Sequence, residues 1–354
     1  MNPLPFDKLR PHKKRAFVPE KTDLGDWSQI APLFDRLEAG AAQSRTAPTL
    51  ERWLLDWGEL NAALDEEGAR RYVAMTCHTD NADAEKDYLH FVEQIEPRLK
   101  PRQFRLEELY LQHPLRGKLA TERYAVFDRA TQVRVDLYRA ENVPLETEEA
   151  RLSQQYQKLC GSLTVAFRGE EKTLAQMAPY LEEPDRALRK ETWELVATRR
   201  LREAEKFEDI FDRLVALREQ IARNAGFANY RDYAFRWNRR FDYTPNDCLK
   251  FHDAIEREVM PMLRDLQTVR RGQLKLDKLQ PWDLAVDPLN RPPLRPFGKV
   301  DQMVSDAQRI FNQLDGELSD GFKMMNDLRL LDLDNRKGKA PGGYQTTLAE
   351  ARLP

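Results

Sequence analysis

Hydrophobic residues recur every three or four positions through most of the chain, a period that predicts helices with one face toward a core. One such stripe covers residues 50–64 and another covers 88–99. Two antiparallel helices are the simplest arrangement of this pair. Further stripes predict helices over 119–138 and 152–163, with Pro144 between them as a stop. The chain therefore reads as mostly α and multi-helical.

The clearest helix signal follows Pro184. Asp185 can cap an N-terminus, the apolar side then continues for many turns, and Gly226 can end the helix. These features predict one long helix from Asp185 to Ala225.

A second start signal is the run Thr244-Pro245-Asn246-Asp247, which combines a Thr cap, a proline at the first helical position and an acid in the first turn. Pro261 predicts a kink within this helix. The proline-rich stretch from Gln280 to Phe297 is too irregular for a helix, and it is interpreted as either a linker or a functional wall.

Near the C-terminus the period changes from helical spacing to alternation. Leu328, Leu330 and Leu333 alternate with polar residues, and the turn-forming run Arg336–Gly343 leads into Tyr344 and a Thr-rich run. This pattern predicts a small antiparallel β element near the C-terminus.

Charge and cysteine content narrow the class of protein. The 354 residues contain 57 Lys and Arg against 59 Asp and Glu, a net charge of −2 that favours neither nucleic acid nor a membrane as partner. The basic N-terminus precedes no apolar segment, so no signal peptide or membrane span is predicted. Three widely spaced cysteines, an odd number, indicate a reducing compartment and a cytoplasmic location.

No zinc site emerges from the histidine positions. None of the five histidines has another histidine four residues later, which excludes a His-Glu-x-x-His helix. Cys248, His252 and Glu256 share one helix face, but about 12 Å of helix separates the first from the last. They are interpreted as a core-edge cysteine beside a surface pair, and no catalytic or metal-binding residue is predicted.

Arginines and aromatic residues alternate over residues 230–243, a pattern that could stack bases and bind phosphates. Asp232 and Asp242 within the stretch weaken its positive field. The favoured interpretation places the aromatic rings inward at a helix corner and the arginines outward, with nucleic-acid binding as the least favoured function.

Several segments are similar to a known family. They are residues 224–233, 240–247, 251, 281–284 and 336–344. Together they resemble the helical half of the oligoendopeptidase F and thimet oligopeptidase family of zinc metallopeptidases, over roughly Leu174 to Leu348. On this resemblance, residues 1–144 are a helical N-terminal region, and residues 145–354 are the helical portion of the peptidase domain.

The resemblance implies two largely helical halves around a deep channel that admits short peptides. In the family a His-Glu-x-x-His helix and a later Glu bind zinc, but this sequence reaches Pro354 without them. We therefore expect the N-terminal portion of a zinc endopeptidase for oligopeptides, with no zinc bound to this chain alone and no activity without a C-terminal half. The resemblance implies a functional role for only three residues of this sequence, Gly342, Gly343 and Tyr344, which would border the substrate cleft.

Three origins fit this departure from the family: a truncated or split gene product, a designed fragment, or a degenerate relative. The alternative function is a non-catalytic helical module that binds peptides or proteins. In either case the helices after Asp185 should expose apolar residues to water, or cover them with a C-terminal half or a second copy of the chain.

Overall fold

The computed structural model describes residue 6 and residues 9–353, and it is mostly helical. The first helices are α1 (Trp27–Gln43), α2 (Ala47–Cys77), α3 (Ala82–His90), α4 (Glu96–Leu111), α5 (Thr121–Leu137) and α6 (Val143–Gly161). A hairpin of β1 (Thr164–Phe167) and β2 (Glu170–Thr173) follows. The remaining helices are α7 (Arg186–Leu201), α8 (Ala204–Asn224), α9 (Tyr230–Trp237), α10 (Pro245–Ala254), α11 (Met260–Gln273), α12 (Val300–Leu314) and α13 (Gly316–Asp327).

The main hydrophobic core lies between α1, α2 and α4. The apolar positions of the 50–64 stripe are buried in it, and most of those in the 88–99 stripe are buried as well. Trp53 and Trp57 lie one helical turn apart on α2 with ring centroids 5.5 Å apart. The indole of Trp53 also donates to the Leu37 carbonyl at 2.7 Å, which ties α2 to α1. The first stripe therefore forms the core-facing side of α2, and the buried positions of the second lie on the π-helical turn Phe91–Ile95 and on α4, which follows it.

Pro144 has the opposite role to the predicted stop. It lies in the first turn of α6, which begins at Val143, because a proline at this position has no N–H to leave unpaired. The helix predicted from residue 152 therefore starts a few turns earlier.

The single long helix predicted from Asp185 to Ala225 is wrong, although both of its ends are correct. Asp185 caps α7 by accepting from the Ala187 N–H at 2.9 Å, and Gly226 follows α8 with φ +86°. Between them the helix breaks at Arg202 and Glu203. Glu203 turns its N–H toward the Arg200 carbonyl at 3.0 Å, in a tighter turn than the α-helix allows. The apolar period continues across this break, which is why the sequence concealed it.

The mostly α fold with a small antiparallel sheet is confirmed, but the sheet lies elsewhere than predicted. β1 and β2 pair Thr164 with Thr173 and Phe167 with Glu170, in the middle of the chain. Arg168 and Gly169 at the turn both have positive φ, 52° and 85°, as a two-residue hairpin requires. Strands of four residues were too short to show a clear alternation.

The predicted strands on either side of Arg336–Gly343 do not form. Leu328 caps the end of α13, the other residues of the two flanks have no regular secondary structure, and the flanks do not pair with each other. The backbone of this segment instead bonds to the ends of two helices. Further on, Leu348 and Leu353 form an isolated antiparallel bridge.

The last helices pack loosely. Thr244 and Asp247 cap α10 reciprocally, as the start signal predicts, and Pro261 follows a π-helical turn over Ile255–Val259. No described residue of α10 to α13 is buried. The expected exposure of apolar residues after Asp185 is confirmed here. The exposed set on these helices includes Leu249, Phe251, Met262, Leu263, Leu266, Val269, Ile310, Leu314, Leu318 and Met324.

Across residues 9–353, no helix has both the length and the apolar character needed to cross a membrane.

Candidate functional site

The segment 332–344 lies against the C-terminal ends of α2 and α6. The Gly338 carbonyl accepts from the Thr79 N–H at 2.6 Å and from the Thr79 hydroxyl at 3.0 Å. The Ala340 N–H donates to Thr76 at 2.8 Å, and the Gly338 N–H donates to Gly161 at 3.0 Å. The bonds to the Thr76 and Gly161 carbonyls use groups that a helix end leaves without intrahelical partners. The helix ends thus hold the segment that was predicted to be a turn between strands.

Gly338 is required by this close approach. Its φ is +78°, and a Cβ atom there would lie 2.5 Å from the Asp80 carboxylate. Gly161 is equally confined, since its Cβ would lie 2.6 Å from Thr79 Oγ1 and 3.1 Å from the Lys339 carbonyl. Gly161 therefore permits a backbone contact that a side chain would prevent, and Gly338 permits a positive φ beside the exposed Asp80 carboxylate.

Asp332 organises the start of the segment. Its carboxylate accepts two hydrogen bonds from Arg336, at 2.7 and 2.8 Å, and one from Lys339 at 3.1 Å. Burial opposes ionisation of this carboxylate, but the bonds from Arg336, Cys77 and Lys339 outweigh it and hold the pKa of Asp332 well below its usual range. Burial and the nearby Asp332 raise the pKa of the Cys77 thiol to about 12. Cys77 is thus a protonated donor at neutral pH and not a nucleophile.

Gly342 and Gly343 are exposed at the outer end of the segment. Within the described part of the chain, backbone N–H and C=O groups of residues 341–347 form no hydrogen bonds with other backbone groups. Gly342 has φ +84°, and nothing lies within 4 Å of the position a Cβ would take. Residues 341–347, the open segment, therefore present to solvent a backbone that is not paired with other backbone groups.

Tyr344 anchors the open segment to α2. Its hydroxyl lies 2.5 Å from Thr76 Oγ1, and its ring centroid lies 5.5 Å from that of Tyr72. Burial raises the pKa of Tyr344 to about 12, so the phenol is neutral at physiological pH. The side chain is nevertheless 52% exposed, which leaves one face of the ring open.

The structure shows that the three predicted site residues have neighbours that the sequence did not reveal. Tyr72 accepts from the Gln157 amide at 2.8 Å, so α2 and α6 meet beside Tyr344. Neither Tyr72 nor Gln157 lies in an apolar stripe or a motif, and no sequence signal marked them.

Zinc does not fit the residues present. No group of three or more His, Cys, Asp or Glu side chains among the described residues is placed to hold a metal ion. Cys248 is half-buried, whereas His252 and Glu256 are exposed, and a π-helical turn begins at Ile255 between them. We derive no catalytic step through a metal from these residues.

The Arg and aromatic stretch is mainly structural. Tyr233 is buried, as predicted for an inward ring, but Trp237 at the end of α9 is 51% exposed. Arg231 pairs with Asp232 at 2.9 Å, and Arg236 pairs with Asp136 at 3.1 Å. These arginines already have carboxylate partners on the protein surface.

The second half of the chain matches a known protein family. The sequence profile of peptidase family M3 matches residues 179–353. No match is found among the curated proteins.

Solved structures match nearly the whole chain. PZ peptidase A with inhibitor 2 superposes with a TM-score of 0.87 at 25% identity, over 94% of this chain and 59% of its own. A structure described as oligoendopeptidase F gives 0.87 at 25% identity, over 94% of this chain and 58% of its own. An oligoendopeptidase F from Bacillus anthracis shares the fold, with a TM-score of 0.86 at 23% identity over 95% and 62% of the two chains.

This chain thus spans about three-fifths of the length of the structures it matches. The family match covers the segment that holds the open backbone at residues 341–347, and the structural matches show that the N-terminal helices have the same fold in those proteins. Residues 179–353 of the chain therefore match peptidase family M3, a family of metallopeptidases.

Proposed function

We propose that this chain forms the helical portion of a zinc-dependent oligopeptidase and that its open segment binds the peptide substrate. The observation that carries the proposal is the unpaired backbone of residues 341–347, held on α2 through Ala340 and Tyr344. An extended peptide can add to such an edge as a further strand, with its backbone bonds independent of peptide sequence. Gly342 and Gly343 carry no side chains that would obstruct this approach.

We further propose that hydrolysis needs zinc ligands and a general base outside these 354 residues. A catalytic zinc requires about three convergent protein ligands and an open position for water. The sequence contains no His-Glu-x-x-His pair to supply them. The chain alone is therefore proposed to bind peptides without cleaving them, in the cytoplasm, where thiols stay reduced.

The exposed apolar residues of α10 to α13 support a partner for this part of the chain. We propose that a peptidase C-terminal half, on the same or a second chain, or another copy of this chain covers them. In this scheme residues 1–144 are a helical N-terminal region, and residues 145–354 are part of the peptidase domain.

Peptide binding tests the proposal directly. A labelled, capped nonapeptide is titrated into the purified chain, alongside the same peptide with alternate backbone amides N-methylated. Because N-methylation removes the donors for strand addition, we expect about tenfold weaker binding of the methylated peptide. Equal affinity of the two peptides would show that the open segment does not pair with substrate backbone.

Turnover completes the test. A quenched fluorescent oligopeptide is incubated with the chain, with and without added zinc, and metal content is measured after purification without an affinity tag. We expect no chelator-sensitive cleavage and no stoichiometric zinc. Zinc-dependent turnover by the chain alone would overturn the proposed need for further ligands.

The second candidate, a non-catalytic peptide-binding or protein-binding module, is supported by the same exposed apolar faces. Adding a zinc-bearing C-terminal half from a family member separates the two functions. Restored cleavage supports the peptidase portion, whereas retained peptide binding without cleavage supports the binding module.

A further inference from the structure

A cavity of about 440 Å³ lies between α2, α4, α5, α6 and α9, and the open segment does not line it. It contains both charged and aromatic side chains. Its acidic members are Asp65, Glu96, Glu107 and Glu146, and its basic members are Lys100 and Arg134. The cavity is far larger than a single ion needs and has room for part of an organic molecule.

The charges of the lining are not balanced. Arg134 pairs with Glu107, and Lys100 pairs with Glu146 at 2.5 Å. Both cations are thereby engaged with a carboxylate. The carboxylates of Asp65 and Glu96 have no hydrogen bond and no ion pair with any described residue. Two negative groups of the cavity therefore remain without a direct partner.

The imbalance matters most at Glu96, which is half-buried, whereas Asp65 lies at an exposed position. Burial raises the pKa of Glu96 against the opposing effect of Lys100. The Glu96 carboxylate has thus lost part of its hydration, and it has the charge of Lys100 nearby but no direct hydrogen bond in return. A cation entering the cavity would restore the missing interaction for both groups.

Aromatic rings form another part of the lining. Phe104 stacks on Tyr138 with ring centroids 4.2 Å apart and an interplanar angle of 19°. Tyr233 and Trp237 are nearly parallel, at 10° and 6.4 Å. Aromatic faces attract organic cations and also pack against the apolar stem that carries them. The half-exposed Trp237 leaves this wall accessible from solvent.

We propose that this cavity binds an organic cation, a guanidinium or alkylammonium group on an apolar stem, through Asp65, Glu96 and the aromatic wall. The described lining offers no group of three or more side chains suited to a metal ion, which favours an organic ligand. An arginine or lysine side chain of a peptide carries this chemistry, and that identification of the carrier rests on the proposed function. The cavity would then favour basic peptides.

Calorimetric titration of the full chain tests the site with three probes. They are capped Gly-Arg-Gly, the same tripeptide with citrulline in place of arginine, and butylguanidinium. Citrulline has nearly the shape of arginine without its charge. We expect the arginine peptide and butylguanidinium to bind, and the citrulline peptide to bind at least about tenfold more weakly. Equal affinity for the arginine and citrulline peptides would overturn the proposal.

Isosteric variants assign the binding to the cavity. Asp65→Asn combined with Glu96→Gln removes both unpaired charges and no hydrogen bond, so the variant should fold, as circular dichroism can verify. We expect about tenfold weaker binding of butylguanidinium. Asp212→Asn combined with Glu208→Gln removes two exposed charges from α8 and is the matched control. Unchanged affinity in the cavity variant, or an equal loss in the control, would overturn the assignment.

Butylguanidinium also separates this inference from the proposed function. It has no peptide backbone, so it cannot add to the open segment as a strand. Binding of butylguanidinium supports cation binding in the cavity. It does so even if N-methylated and unmodified peptides bind equally and strand addition at the open segment is thereby contradicted. Tighter binding of the arginine tripeptide than of butylguanidinium would support a peptide as the carrier, and equal binding would support a free amine or guanidine.

Discussion

The Tyr344 hydroxyl lies 2.5 Å from Thr76 Oγ1, although 268 residues separate them in the chain. Thr76 is in the last turn of α2, and its hydroxyl also bonds to the Tyr72 carbonyl at 2.9 Å. This contact and the ring contact of Tyr344 with Tyr72 join α2 to the open segment. They fix one end of an exposed backbone whose next residues have no backbone partner.

Removing this hydroxyl should loosen the segment without unfolding the chain. Tyr344→Phe is expected to lower the free energy of unfolding by about 1 kcal/mol, the net worth of one hydrogen bond. Urea denaturation measures the change, and faster amide exchange near Ala340 would locate it. Tyr243→Phe, which removes a hydroxyl without a hydrogen bond from an exposed ring, is the matched control. An equal effect of both variants would contradict the anchoring role of Tyr344.

Alanine substitutions at Gly342 and Gly338, which have similar φ angles, distinguish the cost of backbone strain from the cost of a close contact. Gly342→Ala introduces a Cβ into open space at φ +84°, so we expect a loss of about 1 kcal/mol. Gly338→Ala has the same strain and also places a Cβ 2.5 Å from the Asp80 carboxylate, which must move aside, so it should cost somewhat more. Thermal unfolding of both variants measures the difference. If Gly338→Ala is no worse than Gly342→Ala, the contact with Asp80 is not structurally important.

Asp332 should make stability depend on acid pH. Its folded pKa lies below the unfolded value of about 3.9, so its contribution is fully present above that pH and is lost as pH falls through the folded pKa. Asp332→Asn is therefore expected to destabilise the protein at neutral pH and to lose that effect progressively below about pH 4. Denaturant unfolding of both proteins between neutral and acid pH tests this.

Asp212→Asn, which removes an exposed carboxylate, is the control for this pH series of unfolding measurements. A destabilisation by Asp332→Asn that stays constant down to the lowest pH would contradict the ionic role of Asp332.

The proline-rich loop is anchored by a buried charge pair. Asp283 accepts two hydrogen bonds from Arg186, both at 2.9 Å, and one from the buried Arg189 at 3.2 Å. Asp283→Ala leaves the Arg189 guanidinium buried without its counter-charge, so we expect a loss of about 3–5 kcal/mol. Asp277→Ala, at an exposed position shortly before the loop, is the control. A loss below about 1 kcal/mol would indicate that the loop is only a linker.

The exposed apolar surface of α12 and α13 predicts self-association or dye binding. Ile310→Glu combined with Leu314→Glu places two charges on this surface. The double variant should weaken both self-association and dye binding. Sedimentation velocity and fluorescence of a hydrophobic dye measure the effect. A strictly monomeric wild-type chain that binds no dye would show that these residues do not form an adhesive surface.

The sequence alone determined the helical class, the core stripes and the strongest helix ends. Period and capping are local properties, so Thr244, Asp185 and Gly226 could be assigned from their neighbours in the chain. Motif similarity also placed residues 224–251 and 336–344 in a family of peptidases, which the family match confirms.

Only the tertiary structure decided where the short sheet and the unpaired backbone lie. Alternating leucines predict strands, but the backbone at Gly338 and Ala340 bonds to helix ends distant in sequence, so no ladder forms. Four-residue strands carry too little pattern to compete with such signals. The cavity was equally hidden, because Asp65 and Glu96 come from different helices, and only packing reveals that neither carboxylate has a partner.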